Sequence, residues 1–409
     1  MCNFETYKNR FQMRISLLLS ILLLVINILS DIYIIRQIPK RFLTLLSRTL
    51  IWCTNTIIYL IFVIFVWLVY TKDAQFIGRN IEMMVFLFMF ISLPKIIFII
   101  ISPIDYIIKL FTSKRRYIFT AIATLVSILV AIILLYGMAV GRKKLVCNNV
   151  EIESEQLPKE FDGFKVVQIS DLHLKSFYGD TAFISQMVKT INAINPDMVA
   201  ITGDLVSLSA DEILPYKSWL SQIEAKHGVY SVFGNHDYGD YVKWNTMDDK
   251  QINMQKLKTY QKEMGWSMLN NEYENIIKGE DTIVVIGVEN WGNPPFPKYG
   301  NLKNSYAELK DNKYKILLSH NPEHWQQVLD ETNINLTLSG HTHAMQLKFT
   351  CGNNQYSLAS LRGEWWSGLY KRGEQSLYVN DGIGCTLFTF RFGAYPEITV
   401  ITLKHKNNE

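Results

Sequence analysis

Two uncharged, apolar runs, 49–71 and 117–140, constrain this 409-residue chain more than any other feature. Each reaches the roughly 20 residues that a helix needs to cross a bilayer. In hydrocarbon every backbone N–H and C=O must be satisfied within the segment, so these runs form helices. Basic residues bracket both: Arg48 and Lys72 the first, Lys114, Arg115, Arg116 and Arg142, Lys143, Lys144 the second. A third run, 15–35, is interrupted only by Asp31 and lacks a small-residue cleavage site. It therefore reads as an anchor, not a removed signal peptide. The fourth, 83–104, carries Pro94-Lys95 in its middle. Proline is tolerated in a spanning helix, but a mid-helix lysine needs a partner, and Asp31 can supply one; a re-entrant or kinked segment is the other reading.

Charge divides along the same line. Residues 1–144 carry 17 Lys and Arg against 5 Asp and Glu, and the remainder 24 against 32. The basic half is the apolar half, which reads as membrane flanks. The acidic half lacks the cationic surplus that a phosphate backbone requires, which argues against a nucleic-acid partner. Four passes put the N-terminus and the C-terminal half on one side. Lys8, Arg10, Arg14, Lys72, Arg79, Arg142, Lys143 and Lys144 lie on that side, and Arg36, Lys40, Arg41, Arg48, Lys109, Lys114, Arg115 and Arg116 on the other. Counted from Met13 instead of Met1, the balance tips and the C-terminal domain is expected outside the cytoplasm.

The stretch 145–160 is polar and ends near Pro158, and reads as a linker or lead-in strand. Beyond it strand-like runs (165–170, 198–202, 229–233, 282–288, 315–319, 336–338) alternate with helical patterns (181–192, 211–225, 252–264), and Pro322-Glu323 opens another helix. The region 356–403 reads as several strands. Alternation of this kind implies an α/β core with a layered sheet. The expected organisation is a helical membrane region over 1–144, the linker, and one α/β domain over 161–409. Cys2, Cys53, Cys147, Cys351 and Cys385 show no C-x-x-C spacing and read as small core residues, with a 351–385 pair as the alternative.

Five of the strand-like runs end in polar residues: Ser170-Asp171-Leu172-His173, Thr202-Gly203-Asp204, Gly234-Asn235-His236-Asp237, Ser319-His320-Asn321-Pro322 and Ser339-Gly340-His341-Thr342-His343. Ligands in open sheets gather at the carboxyl ends of strands, so these loops should converge. Five of the eight histidines lie in them. His227 and His324 lie outside and read as a turn residue and a helix-surface residue. Carboxylate, imidazole and amide without thiolate suit Mn, Fe or Zn. The candidate ligands Asp171, His173, Asp204, Asn235, His320, His341 and His343 exceed the needs of one ion. They match a pair of ions roughly 3.5–4 Å apart, the arrangement used in phosphoryl chemistry.

On these motifs the sequence resembles the calcineurin-like metallophosphoesterase superfamily, and within it a membrane-anchored bacterial branch. The likeness covers about residues 160–403 and includes the tail Arg391-Phe392-Gly393-Ala394-Tyr395-Pro396-Glu397-Ile398. The resemblance implies a four-layer αββα sandwich and hydrolysis of a phosphoester or pyrophosphate. It implies that Asp171, His173, Asp204 and His343 hold one divalent ion, that Asp204, Asn235, His320 and His341 hold the second, and that Asp204 bridges. His236 would protonate the leaving oxygen, with Asp237 orienting its ring. The branch typically places Gly-Gly-Gln after its His-x-His, where this chain has Ala344-Met345-Gln346, a change that bears on the rim of the site. A bilayer partner favours a lipid-linked or nucleotide-lipid phosphate as substrate. Trp365-Trp366, with Leu369 and Tyr370, are expected either to dip into the interface or to fill the core. Some relatives act as UDP-2,3-diacylglucosamine pyrophosphatases in lipid A synthesis, at the cytoplasmic face. A membrane sensor or transporter with a non-catalytic metal domain is the reading from another class, supported by Asp31 and Lys95.

Overall fold

The computed structural model describes residues 2–38, 44–71, 81–112, 117–242, 244–292, 297–306, 313–352 and 354–407. Two compact units divide it, Met1–Tyr136 and Gly137–Glu409. The basic flanks Lys40, Arg41, Lys72, Arg79, Lys114, Arg115 and Arg116 lie outside the described residues, as do the side chains of Lys8, Arg10, Met13 and Arg14.

The first unit is helical: α1 (Cys2–Gln37), α2 (Leu45–Thr71), α3 (Ile81–Ile101), α4 (Ile104–Thr112) and most of α5 (Ile118–Ala139). Among the described residues, four stretches are long and apolar enough to cross a membrane: Ser20–Gln37, Leu45–Trp67, Glu82–Thr112 and Ile118–Lys143. Helix α3 continues through Pro94, and the chain breaks instead at Ser102-Pro103 before α4. Lys95 Nζ sits 2.7 Å from Asp31 Oδ1, and the Tyr59 hydroxyl bonds the same carboxylate. A charge inside an apolar bundle is tolerated when paired in this way. Asp105, buried at the start of α4, accepts the N–H groups of Phe119 and Thr120 at 3.0 and 2.8 Å. It thereby satisfies two of the orphan donors that open α5.

The second unit is built on two six-stranded sheets. In chain order its strands are β1 (Val146–Ser154), β2 (Lys165–Ile169), β3 (Met198–Ile201), β4 (Val229–Ser231), β5 (Ser267–Met268), β6 (Glu272–Lys278), β7 (Asp281–Val288), β8 (Tyr314–Ser319), β9 (Leu336–Ser339), β10 (Phe349–Cys351), β11 (Asn354–Tyr356), β12 (Gly368–Arg372), β13 (Gln375–Val379) and β14 (Glu397–His405). One sheet runs β1-β14-β2-β3-β4-β5 and the other β12-β13-β9-β8-β7-β6, while β10 and β11 pair separately. Strand side chains alternate between faces. Val166, Ala200, Ile316 and Leu318 point between the sheets, and Val167, Ile169, Val199 and Ile201 point outward. The outward set packs on Ile184, Met187, Val188 and Ile191 of α6 (Thr181–Ile194). On the far side Ile286, Leu317 and Leu377 pack on Trp325 and Val328. The result is the four-layer αββα sandwich. Gln168 joins the two sheets by donating to Ser339 O at 2.8 Å.

Of the two readings of 145–160, the lead-in strand is the one found: the stretch holds β1, which pairs in parallel with β14 at the sheet edge. Other sequence expectations change. The helix expected over 211–225 is a 3-10 turn at Ala210–Ile213 and the four-residue helix α7 (Lys217–Leu220), because Pro215 cannot donate to a preceding carbonyl and clashes with that turn. Trp365 stands edge-on to Trp325 at 5.3 Å between ring centroids and packs, with Tyr370, on the outer core. Cys385 is buried, but Cys53, Cys147 and Cys351 are exposed, and Cys351 is not paired with Cys385.

Candidate metal centre

The parallel strands β2, β3, β4, β8 and β9 each deliver a polar loop from their carboxyl ends. Glycines permit the loops to meet. A Cβ on Gly340 would lie 1.9 Å from Ser170 Oγ, and one on Gly203, at φ +94°, would lie 2.7 Å from His320 Nδ1. Five of the candidate ligands themselves take left-handed backbone: Asp171 (φ 52°), His173 (40°), Asp204 (53°), His341 (71°) and His343 (51°). Such conformations carry a cost in non-glycine residues and concentrate where function holds them.

The structure brings all seven candidate ligands into one cluster with Asp204 at its centre. Asp204 Oδ2 lies 3.5 Å from His173 Nε2 on one side and 3.2 Å from His320 Nε2 on the other. Asp171 Oδ1 lies 3.1 Å from His343 Nε2, and Asp171 Oδ2 accepts the His341 N–H at 2.9 Å. His320 Nε2 is 3.1 Å from Asn235 Oδ1 and 3.2 Å from His341 Nδ1. Among the described residues, three sets of groups are each close enough to hold an ion: Asp171, His173 and His343; His173, Asp204 and His236; Asp204, His320 and His341. The first and third divide the ligands as the resemblance implies, and the second shows that His236 also borders the cluster.

The donor chemistry fits divalent cations. His320 Nδ1 lies 2.8 Å from Thr202 O, an arrangement that spends its N–H there and turns Nε2 toward the site. His173 Nε2 is buried without a hydrogen-bond partner among the described residues. Burial alone would raise Asp171 and Asp204, but the imidazoles outweigh it, His343 and His320 for the first, His320 and His236 for the second. Both carboxyls are held below the usual range. Burial, reinforced by the charge of His236, keeps His173 neutral. Burial lowers His320 as well, but Asp204 and Asp171 overcome it and raise that ring to about 10. The two carboxylates therefore draw positive charge into the space between them.

The hydrogen bonds of Asp237 go to backbone N–H groups and not to the His236 ring. Its carboxylate, fully buried, accepts the N–H groups of Asp204 and Gly234 at 2.8 Å and of Val206 at 3.2 Å, so it fastens the loops that carry Asp204 and Asn235. Burial and then Asp204 push its carboxyl up to about 8. The ring of His236 is held instead by Ser207 O, 2.9 Å from Nδ1, and by Tyr241, stacked at 4.2 Å. Tyr241 also bonds Asn235 Nδ2 at 2.8 Å. Neither Ser207 nor Tyr241 carries a sequence signal, because each acts from outside the strand-end motifs. His324 is buried, not on a helix surface. Its Nδ1 meets Ser319 Oγ at 2.8 Å, its ring stacks on Trp291, and burial, then Lys298, lowers it to about 3.

Ala344, Met345 and Gln346, which follow His343, have φ of 45°, 47° and 60°. Glycine is indifferent to this region, whereas an L-residue gives up roughly 1–2 kcal/mol there. Met345 is exposed, so glycine there forfeits little packing. Met345→Gly is expected to stabilise the fold by about 1 kcal/mol, read as a higher thermal midpoint; a lower midpoint would contradict the strain.

The family described as "Calcineurin-like phosphoesterase" matches residues 164–345, and "Probable Calcineurin-like phosphoesterase, transmembrane domain" matches residues 13–142. "Uncharacterized metallophosphoesterase YkuE" of Bacillus subtilis is 30% identical over 262 residues, 63% of this chain and 84% of that protein. "Uncharacterized metallophosphoesterase Cj0846" of Campylobacter jejuni is 26% identical over 96% of this chain and the full length of its own. "UDP-2,3-diacylglucosamine pyrophosphatase LpxG" of Chlamydia trachomatis is 28% identical over 60% of this chain and 86% of that protein. The sandwich and its carboxylate–imidazole cluster define a metallophosphoesterase, a metal-dependent hydrolase, here joined to four apolar helices. The chain belongs to the calcineurin-like phosphoesterase family.

Proposed function

We propose that this membrane-associated enzyme hydrolyses a phosphoester or pyrophosphate bond in a lipid-linked or nucleotide-lipid substrate, using two divalent ions. The observation that carries the dinuclear reading is Asp204 Oδ2, placed between His173 and His320 at 3.5 and 3.2 Å. Asp171, His173, Asp204 and His343 would hold one ion, and Asp204, Asn235, His320 and His341 the other. Bound there, Mn, Fe or Zn would activate a water and neutralise phosphate oxygens.

The protein's own groups supply the rest. Asn235, His236 and His341 are the more exposed members of the cluster, so substrate approaches over them. With Nδ1 directed at Ser207 O, His236 presents Nε2 to that side and can give a proton to the departing oxygen. Asp237 is a positioning residue through the loops it fastens. His236→Ala is expected to lower turnover by about 10² to 10⁴ while metal content stays at the wild-type level. Equal loss of both would transfer His236 to the ligand set.

The lipid-linked substrate class is supported by the four apolar helices and by the name of the Chlamydia relative. The full chain, reconstituted with Mn²⁺, is to be given a UDP-linked lipid, a lipid phosphate and soluble phosphate esters. Turnover of a lipid substrate above that of the soluble esters is expected; turnover of soluble esters alone would remove the substrate class. The catalytic unit is proposed to face away from the cytoplasm, on the basic-residue count from Met13. A pyrophosphatase acting on a nucleotide-lipid in lipid A synthesis would require the opposite face. Protease protection in intact cells distinguishes the two.

A further inference from the structure

Six large apolar side chains stand exposed around the His341–His343 turn: Met345, Phe349, Tyr356, Leu358, Leu361 and Leu387, with Leu361 and Leu387 82% and 78% accessible. They belong to three chain segments, each fastened to that turn. Ser357 Oγ donates to Ala344 O at 2.6 Å. Gln346 exchanges hydrogen bonds with Thr386, through Nε2 at 3.0 Å and Oε1 at 2.8 Å. The Lys348 N–H donates to Phe392 O at 2.8 Å, and Phe349 packs on the Phe392 ring at 5.6 Å. A hydrophobic rim of this kind, beside an exposed imidazole, is not core left uncovered by accident. Trp365 of the same region packs instead on the outer core.

The neighbours of Phe392 indicate what covers the rim. Arg391 N–H donates to Gly137 O at 3.2 Å, in the last turn of α5. A Cβ on Gly137 would lie 2.3 Å from the Phe390 ring, and one on Gly141 would lie 1.9 Å from Arg391 O. The Lys144 ammonium lies over the Tyr395 ring at 4.3 Å. Glycines four residues apart thus let the end of an apolar, membrane-length helix seat against 390–395. The Leu347–Phe392 bridge joins the rim to the segment that packs on Gly137 and Gly141.

We propose that the segments bearing Met345, Phe349, Tyr356, Leu358, Leu361 and Leu387 form a rim that docks into the bilayer interface and brings a headgroup phosphate to the metal centre. Docking itself stands on the apolar rim and its link to residues 137–144, which continue the last apolar run; only the delivery of phosphate rests on the lipid-phosphohydrolase reading above. Apolar side chains so placed enter roughly 5–10 Å into the headgroup boundary.

The test uses the full chain in vesicles of phosphatidylethanolamine and phosphatidylglycerol, with nitroxides placed singly at Leu358→Cys, Leu361→Cys and Leu387→Cys in a cysteine-free background. A label at Lys189→Cys, on α6, is the aqueous reference. Docking predicts that the three rim labels collide preferentially with oxygen and the reference with a water-soluble nickel chelate. Rim labels as wet as the reference would overturn the proposal. So would spin–spin broadening that vanishes on dilution with unlabelled chain, which would mean that a second copy covers the rim. Depth is read without turnover, so its failure leaves the hydrolase reading intact. Docked labels in a chain that cleaves no lipid phosphate would retain docking and discard delivery. A Leu358→Asp/Leu361→Asp variant with wild-type metal content is expected to lose about tenfold or more of its turnover of vesicle-embedded substrate; undiminished turnover would remove delivery.

Discussion

Asp204→Asn is expected to abolish hydrolysis, by at least about 10³-fold, equivalent to roughly 4 kcal/mol of transition-state stabilisation. Asp204 Oδ2 lies beside His173 of one half of the cluster and His320 of the other, and only a carboxylate offers an anionic oxygen to each of two cations. An amide keeps Oδ1, which accepts the His236 N–H at 2.8 Å, so the loop conformation is expected to survive. It loses the charge that, with Asp171, draws cations between the sheets. The variant should bind less metal, and metal added in excess should not restore the rate. Full activity in Asp204→Asn would remove the bridging role.

Arg391→Ala is expected to destabilise the second unit by about 3–5 kcal/mol, the range for removing one partner from a buried charged network. The guanidinium is fully buried. It donates to Gly384 O, Asp381 O and Ala394 O, each at 2.8 Å through Nε or Nη1, and its Nη2 lies 2.9 Å from His343 Nδ1. Truncation strands three buried carbonyls, each costing about 1–3 kcal/mol when unpaired, and leaves the ring of a candidate ligand unsupported. Arg391→Lys should recover only part of the loss, because a compact ammonium cannot reproduce the planar fork. Chemical denaturation of the full chain reads both. A loss under about 1 kcal/mol for Arg391→Ala would show that water replaces the guanidinium.

The parts of this protein most legible in its sequence are those where a pattern is forced. An apolar run of membrane length leaves a helix as the answer, and Lys95 within such a run demands the partner found in Asp31. A buried strand that ends in Asp-x-His or His-x-His exposes the chemistry of its loop, so all seven candidate ligands could be named before their convergence was visible. What escaped depends on contacts between distant segments. Strand β1 could be read as a lead-in strand, but not its partner: it is polar because it lies at a sheet edge with one face wet, and its pairing with β14 spans the whole domain. Ser207 and Tyr241 hold His236 from loops that carry no periodicity. Asp237 looked like the orienter of an adjacent ring, but a 3-10 turn at His236–Tyr238 directs it back to Asp204 N, Val206 N and Gly234 N. Arg391 stood out only as part of a tail shared with a family, and its role emerges from the carbonyls it binds.

Metal stoichiometry against activity tests the central claim most directly. The purified full chain is to be stripped of metal, titrated with Mn²⁺, and followed for bound ions and for hydrolysis in the same sample. A dinuclear centre bridged by Asp204 predicts two ions per chain, with turnover rising only as the second site fills. Full activity at one ion per chain, or two ions bound equally by Asp204→Asn, would contradict it.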